Sequence, residues 1–144
     1  MFVFGSDAVK NSFTNAVESL ANKTMLLQIE NNKLIKFDGN IKNLNLVEFN
    51  NFSRIEEIAS RAFENNINLN SLILPASVKI LGENFINGCE NLSTITINSN
   101  FVPNFIEATF AGCKENLTLY VPEKALNVYK KALENFDFTI LSIN

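Results

Sequence analysis

The sequence predicts an α/β chain built as a short solenoid, with stacked coils sharing parallel strands between a helix and hairpin at the front and a helix and strand at the back. Three observations carry this reading. Strand-like apolar segments recur 23 and 24 residues apart, starting at Leu72, Ile95 and Leu119. Downstream of the repeat's start, Phe63, Phe85 and Phe110 recur 22 and 25 residues apart. Between these landmarks each unit closes on Asn-Leu, at Asn68-Leu69, Asn91-Leu92 and Asn116-Leu117. A fixed order of landmarks at one period is the mark of a fold made from stacked units.

At the front, Ala8, Val9, Phe13, Ala16, Val17 and Leu20 follow helical spacing behind the capping candidates Ser6 and Asp7, which predicts an amphipathic helix to about Ala21. Two strand-like stretches, 25–29 and 33–37, then flank Asn31-Asn32, which suits a hairpin, and Asp38-Gly39 suits a second turn. The sequence leaves open whether this hairpin joins the repeat sheet. Val47-Glu48-Phe49 is the expected first copy of the repeated strand.

In the three clear copies, Leu72 and Leu74, Ile95 and Ile97, and Leu119 and Val121 alternate with Ile73, Thr96 and Tyr120. Period two puts the first set inside and the second outside. Ile58, Ile80 and Phe105 each stand five residues before one of the recurring phenylalanines, which are expected to stack as a ladder in the core. Gly88-Cys89 and Gly112-Cys113 hold one repeat position, so both thiols are expected as reduced core groups, and the glycines there and at Gly82 serve positive backbone angles or close approach. The Asn before each closing Leu is expected to turn the chain by bonding nearby backbone groups. At the back, Pro122 opens a helix lined by Leu126, Tyr129 and Leu133, and Phe136, Phe138 and Ile140 alternate as in a closing strand. The expected organisation is one domain over 1–144, with an N-terminal cap (1–45), about three repeats (46–121) and a C-terminal cap (122–144).

Leu72 to Pro75, Ser77-Val78-Lys79-Ile80-Leu81-Gly82, Asn84-Phe85 and Gly88-Cys89-Glu90-Asn91-Leu92 together resemble the unit of BspA-like leucine-rich repeats. The resemblance spans about residues 46 to 135. It departs from the pattern in the first copy, which has Asn66-Ile67 where Gly-Cys would be, and in the third, where Pro103-Asn104-Phe105-Ile106 replaces the glycine-containing segment. What it implies is a surface-associated module that binds host or neighbouring-cell proteins, and hence a place on the cell surface or outside the cell. An intracellular scaffold, or a terminal fragment of a longer array, are the alternatives. The first ten residues lack the basic leader and apolar run of a secretion signal, so they do not fix the localisation.

Composition narrows the function classes. Twelve basic and fifteen acidic residues give a net charge of -3 and form no basic stripe, which argues against nucleic acid as a partner. No run reaches the roughly 18 apolar residues of a membrane span. Without histidine, no Ser-His-Asp or Cys-His arrangement is possible, and no cofactor loop or metal-ligand spacing stands out. The chain is therefore expected to be non-enzymatic, with no cofactor and no metal. Glycosylation-type triplets begin at Asn22, Asn51, Asn91 and Asn116, and chance accounts for them in so Asn-rich a chain. What remains is the outer wall of the strands: a row of Glu48, Ile73, Thr96 and Tyr120 flanked by Ser71, Thr94 and Thr118 is the expected protein-binding surface.

Overall fold

The computed structural model describes residues 27–49 and 54–143. The expected helix over 6–21, and the first residues of the first hairpin strand, lie outside the described residues. Two sheets run along the stack. The larger has five strands, all parallel: β3 (Asn43–Asn45), β5 (Ser71–Leu74), β7 (Thr94–Ile97), β8 (Thr118–Val121) and β9 (Thr139–Ser142), in that spatial order. The smaller contains β1 (Leu27–Glu30), β2 (Lys33–Phe37), β4 (Glu57–Ile58) and β6 (Ile80–Leu81). A seven-residue helix, α1 (Leu126–Ala132), lies between β8 and β9.

Register in the larger sheet follows the alternation in the sequence. Leu44, Leu72, Ile95, Leu119 and Ile140 stand opposite one another across the five strands, and each is buried. Leu74, Ile97 and Val121 form a second inward row. A one-residue slip would turn both rows to water, so burial fixes the pairing. The hairpin forms as expected: β1 and β2 pair antiparallel around Asn31 and Asn32, both with positive φ (51° and 64°), as a type I′ turn requires. It joins the smaller sheet, where β2 pairs parallel with β4 and β4 with β6. The turn expected at Asp38-Gly39 does not form: neither residue lies in a turn or bend, and neither has positive φ.

Two expected alignments are corrected. The strand of the first copy is Asn43–Asn45, and the expected strand residues Val47-Glu48-Phe49 fall in a 3-10 turn (Leu46–Phe49). The cause is Asn45, whose side-chain oxygen accepts the Val47 N–H at 3.0 Å and turns the chain as soon as the strand ends. In the smaller sheet Ile58 stands opposite Leu81, so Ile80 is not its equivalent. Ile58 and Leu81 are buried while Ile80 is 40% exposed: the coil containing Phe85 is one residue shorter there, and burial sets the register ahead of sequence spacing.

A third wall has no regular strand but is stitched coil to coil by backbone hydrogen bonds. Phe37 donates to Ala62, Phe63 to Phe85 (2.9 Å), Asn65 to Asn87 (2.7 Å) and Gly88 to Gly112 (3.1 Å). Behind it lie the aromatic rings. Phe37 packs on Phe63 at 5.9 Å and Phe85 on Phe110 at 6.0 Å, and the Phe63 and Phe85 backbones are bonded directly. The ladder runs beyond the three expected members. Phe136 and Phe138, stacked at 5.2 Å with 3° between their planes, both meet Phe110 edge-on. These two rings precede β9, so only Ile140 of the expected closing alternation sits within a strand. One continuous apolar cluster extends from Leu34 to Ile140.

Side chains of small polar residues clip each coil to its neighbour. Asn91 donates from Nδ2 to the Ile67 carbonyl (2.6 Å), Asn66 to Gly39 (3.0 Å) and Asn98 to Leu74 (3.1 Å), each across one repeat. The Asn before the closing Leu thus bonds the preceding coil at Asn91, not its own neighbourhood, and at Asn116 it supplies a positive φ of 64°. In the first copy the left-handed slot of the later glycines is filled by Asn65 (φ 60°), one residue before the position expected from the alignment. Asparagine is the residue other than glycine that tolerates this geometry best.

Candidate functional site

Strand alternation builds two outward rows on the larger sheet. One runs Asn43, Ser71, Thr94, Thr118, Thr139 and the other Asn45, Ile73, Thr96, Tyr120, Leu141, with each residue opposite the next. Neighbouring strands lie about 4.8 Å apart, so each row is a ladder about 20 Å long. Ser71 Oγ donates to Asn43 Oδ1 at 2.7 Å, which joins the first two rungs. Ser71, Ile73, Thr94, Thr96, Thr118 and Tyr120 are all partly exposed, and Leu141 is 45% exposed. None of the ten positions carries a charge.

Six of the seven residues expected on this wall are therefore brought together. Glu48 is not: it sits exposed in the 3-10 turn, and Asn45 holds its place beside Ile73. Sequence reasoning also missed Asn43, Thr139 and Leu141. The signal was present in Asn43-Leu44-Asn45 and Thr139-Ile140-Leu141, which repeat the outward-inward-outward pattern of the clear copies.

Charge gathers elsewhere. Lys33 pairs with Glu57 at 3.2 Å on the smaller sheet, and Arg61 pairs with Glu64 on the third wall. The hydrogen bond from Arg61 holds the Glu64 carboxyl below its usual range. Beside them an open hollow of about 200 Å³ is lined by Phe37 to Gly39 and Glu64 to Asn68. Within its lining, Asn66 donates to the Gly39 carbonyl at 3.0 Å. Among the described residues no group of three or more Cys, Asp or Glu side chains converges as metal ligands would, and no described helix is long and apolar enough to cross a membrane. Of the glycosylation-type triplets, Asn91 has its amide committed to the Ile67 carbonyl.

The two thiols are free, and Cys89 is buried with its S–H donating to the Phe63 carbonyl at 3.0 Å; Cys113 is half-buried. Burial pushes the Cys89 thiol up from 9.0 to about 11 and also raises Cys113. Such a group is a poor nucleophile at neutral pH, since only the thiolate reacts. It also ties stability to pH. Because the folded value lies above the unfolded one, the Cys89 contribution is complete below pH 9 and is lost as pH rises toward 11. Unfolding free energies from denaturant melts between pH 7 and 11 should fall above pH 9, by up to about 1.4 kcal/mol per pH unit from this thiol. A Cys89→Ala chain should fall less steeply, and an identical slope would remove the thiol as a cause.

Tyr129 has the same character. Fully buried on α1, it donates its hydroxyl to the carbonyls of Ser99 (2.8 Å) and Phe101 (3.2 Å), and burial raises its pKa. It fastens the helix to the loop after β7.

Compared with protein-family models, residues 37–144 match the BspA type leucine-rich repeat region, in six copies. The chain belongs to the BspA-type leucine-rich repeat family. No match was found among curated proteins or among solved structures. BspA-type leucine-rich repeats make protein-interaction modules and are generally non-enzymatic, which directs attention to the wall and its two rows. At Gly82, Gly88 and Gly112 an added Cβ would run into the preceding coil: its main chain at Gly82, and the side chains of Asn65 and Asn87 at Gly88 and Gly112.

Proposed function

We propose that this chain is a non-enzymatic, solenoid-shaped interaction module whose partner is a protein seated on the outer rows of the five-stranded sheet, in a surface-associated adhesion role. One observation carries the reading: the in-register rows combine Ile73, Tyr120 and Leu141 with a line of hydroxyls and amides and hold no charge. Interface centres are depleted in charge and enriched in aromatic residues, and Tyr with Ser and Asn offers rigid contact area together with adaptable hydrogen bonds. The continuous core from Leu34 to Ile140 supports the reading of a single stacked domain, with the β1–β2 hairpin at one end of the described residues and the α1–β9 unit at the other.

The site is tested with Tyr120→Ala combined with Ile73→Ser. A partner recovered from a surface extract of host or neighbouring cells, and then purified, should bind the double variant with a Kd about thirtyfold higher, a loss of about 2 kcal/mol. Thermal unfolding should stay within about two degrees, since both side chains are on the outward rows. Equal affinity would remove the rows as the binding site.

A further inference from the structure

We propose that Cys89 and Cys113 are an oxidisable pair, which a small-molecule disulfide converts into a reversible Cys89–Cys113 cross-link between neighbouring coils. They are the two thiols of the chain and stand 24 residues apart, at one repeat position. The Gly-Cys turns that carry them have the same shape. Gly88 and Gly112 have φ of 79° and 73°, the Cys89 N–H donates to the Ile86 carbonyl, and the Cys113 N–H donates to the Phe110 carbonyl. The two turns are joined directly, because the Gly88 N–H donates to the Gly112 carbonyl at 3.1 Å. Chains bonded in register lie about 4.8 Å apart, and a disulfide needs its two Cα atoms roughly 4.4 to 6.8 Å apart.

Both side chains pack against the same apolar core. Burial is the main cause that raises the Cys89 thiol and the Cys113 sulfur adds to it, which places the two within electrostatic reach of each other. In the reduced chain the Cys89 S–H donates to the Phe63 carbonyl of the preceding coil. A change between staggered positions about χ1 takes the sulfur out of that bond and toward the next coil. The cross-link lies on the third wall, where no regular strand joins Gly88-Cys89 to Gly112-Cys113.

The order of events follows from exposure. Cys113 is half-buried and Cys89 is buried, so Cys113 is the thiol that meets the oxidant. Its thiolate attacks one sulfur of the small disulfide, forms a mixed disulfide and releases the first small thiolate. Cys89 then gives up its proton to solvent, and its thiolate attacks the Cys113 sulfur. The Cys89–Cys113 bond forms as the second small thiolate leaves. Two protein thiols have lost two electrons and two protons, and one small disulfide has become two small thiols. An excess of those thiols runs the same steps backward. The pair does not depend on the partner-binding reading and has its own test.

The full chain is equilibrated with mixtures of oxidised and reduced glutathione, quenched in acid, alkylated and weighed intact. In oxidised glutathione the folded chain should lose two hydrogen atoms within a single copy, and excess reduced glutathione should restore them. Cys89→Ser should stop at a glutathione adduct on Cys113, whereas Cys113→Ser should stay unmodified, because its remaining thiol is buried. In denaturant the ratio of cross-link to glutathione adduct should fall at least about tenfold, since stacking no longer holds the two positions together. A folded wild-type chain that keeps both thiols, or that carries glutathione on Cys113 at equilibrium, overturns the proposal. So does a cross-link that forms as readily in denaturant as in the folded chain, because chance closure of the loop would then account for it.

Discussion

Phe85→Ala should destabilise the chain by about 3 to 5 kcal/mol, enough to lower its melting temperature by roughly 10 degrees or more. Phe85 has no exposed surface and meets Phe110 edge-on at 6.0 Å. Its backbone carbonyl accepts the Phe63 N–H, so the ring is held at fixed height between the coils before and after it. Truncation removes the buried ring and leaves a void whose walls belong to more than one coil. Those walls cannot close in, since each coil is pinned to the next by the backbone bonds of the third wall. Phe85→Leu fills part of the space and should cost distinctly less. Denaturant unfolding of the two variants beside wild type checks both the size and the order. A shift of less than two degrees for Phe85→Ala would take the ring out of the core.

How much of this was legible in the sequence depends on whether a position was marked by one strong local rule or by competition between rules. β5, β7 and β8 could be read because alternation of apolar and small polar residues has one solution once a face is buried. The hairpin could be read because Asn-Asn accepts two positive φ angles in succession. The first copy could not be placed: Leu44, Leu46 and Val47 offer two overlapping patterns, and the Asn45 side chain decides between them by ending the strand. The outer rows shared that fate. Their middle rungs were legible, whereas Asn45 and Leu141 depend on which strand lies at each edge, a fact of topology that spacing does not encode. Phe37, Phe136 and Phe138 were hidden for a similar reason. Each lies at an end of the ladder, in a segment whose local pattern belongs to a different element.

Gly82→Ala should be among the most damaging single-atom additions to the chain, at about 3 kcal/mol. This glycine does not need a positive φ; it needs the absence of a side chain. A methyl there would stand 2.4 Å from the Ser60 nitrogen, 2.6 Å from the Ala59 carbonyl carbon and 2.8 Å from the Ile58 oxygen, all backbone atoms of the preceding coil. The Gly82 N–H donates to that same Ile58 oxygen at 2.8 Å, so relieving the clash pulls apart the hydrogen bond and the β4–β6 pairing together. Overpacking costs about 1 to 3 kcal/mol where side chains can yield, and here the obstacles are main chain, which places the effect at the top of that range. Gly88→Ala makes the useful contrast. Its φ of 79° imposes the left-handed penalty of about 1 to 2 kcal/mol, yet the nearest obstacle is the end of the Asn65 side chain, which can rotate away. Denaturant midpoints should therefore rank wild type above Gly88→Ala and Gly88→Ala above Gly82→Ala. If Gly82→Ala proves as stable as wild type, neighbouring coils do not approach as closely at this rung as the stacked arrangement requires.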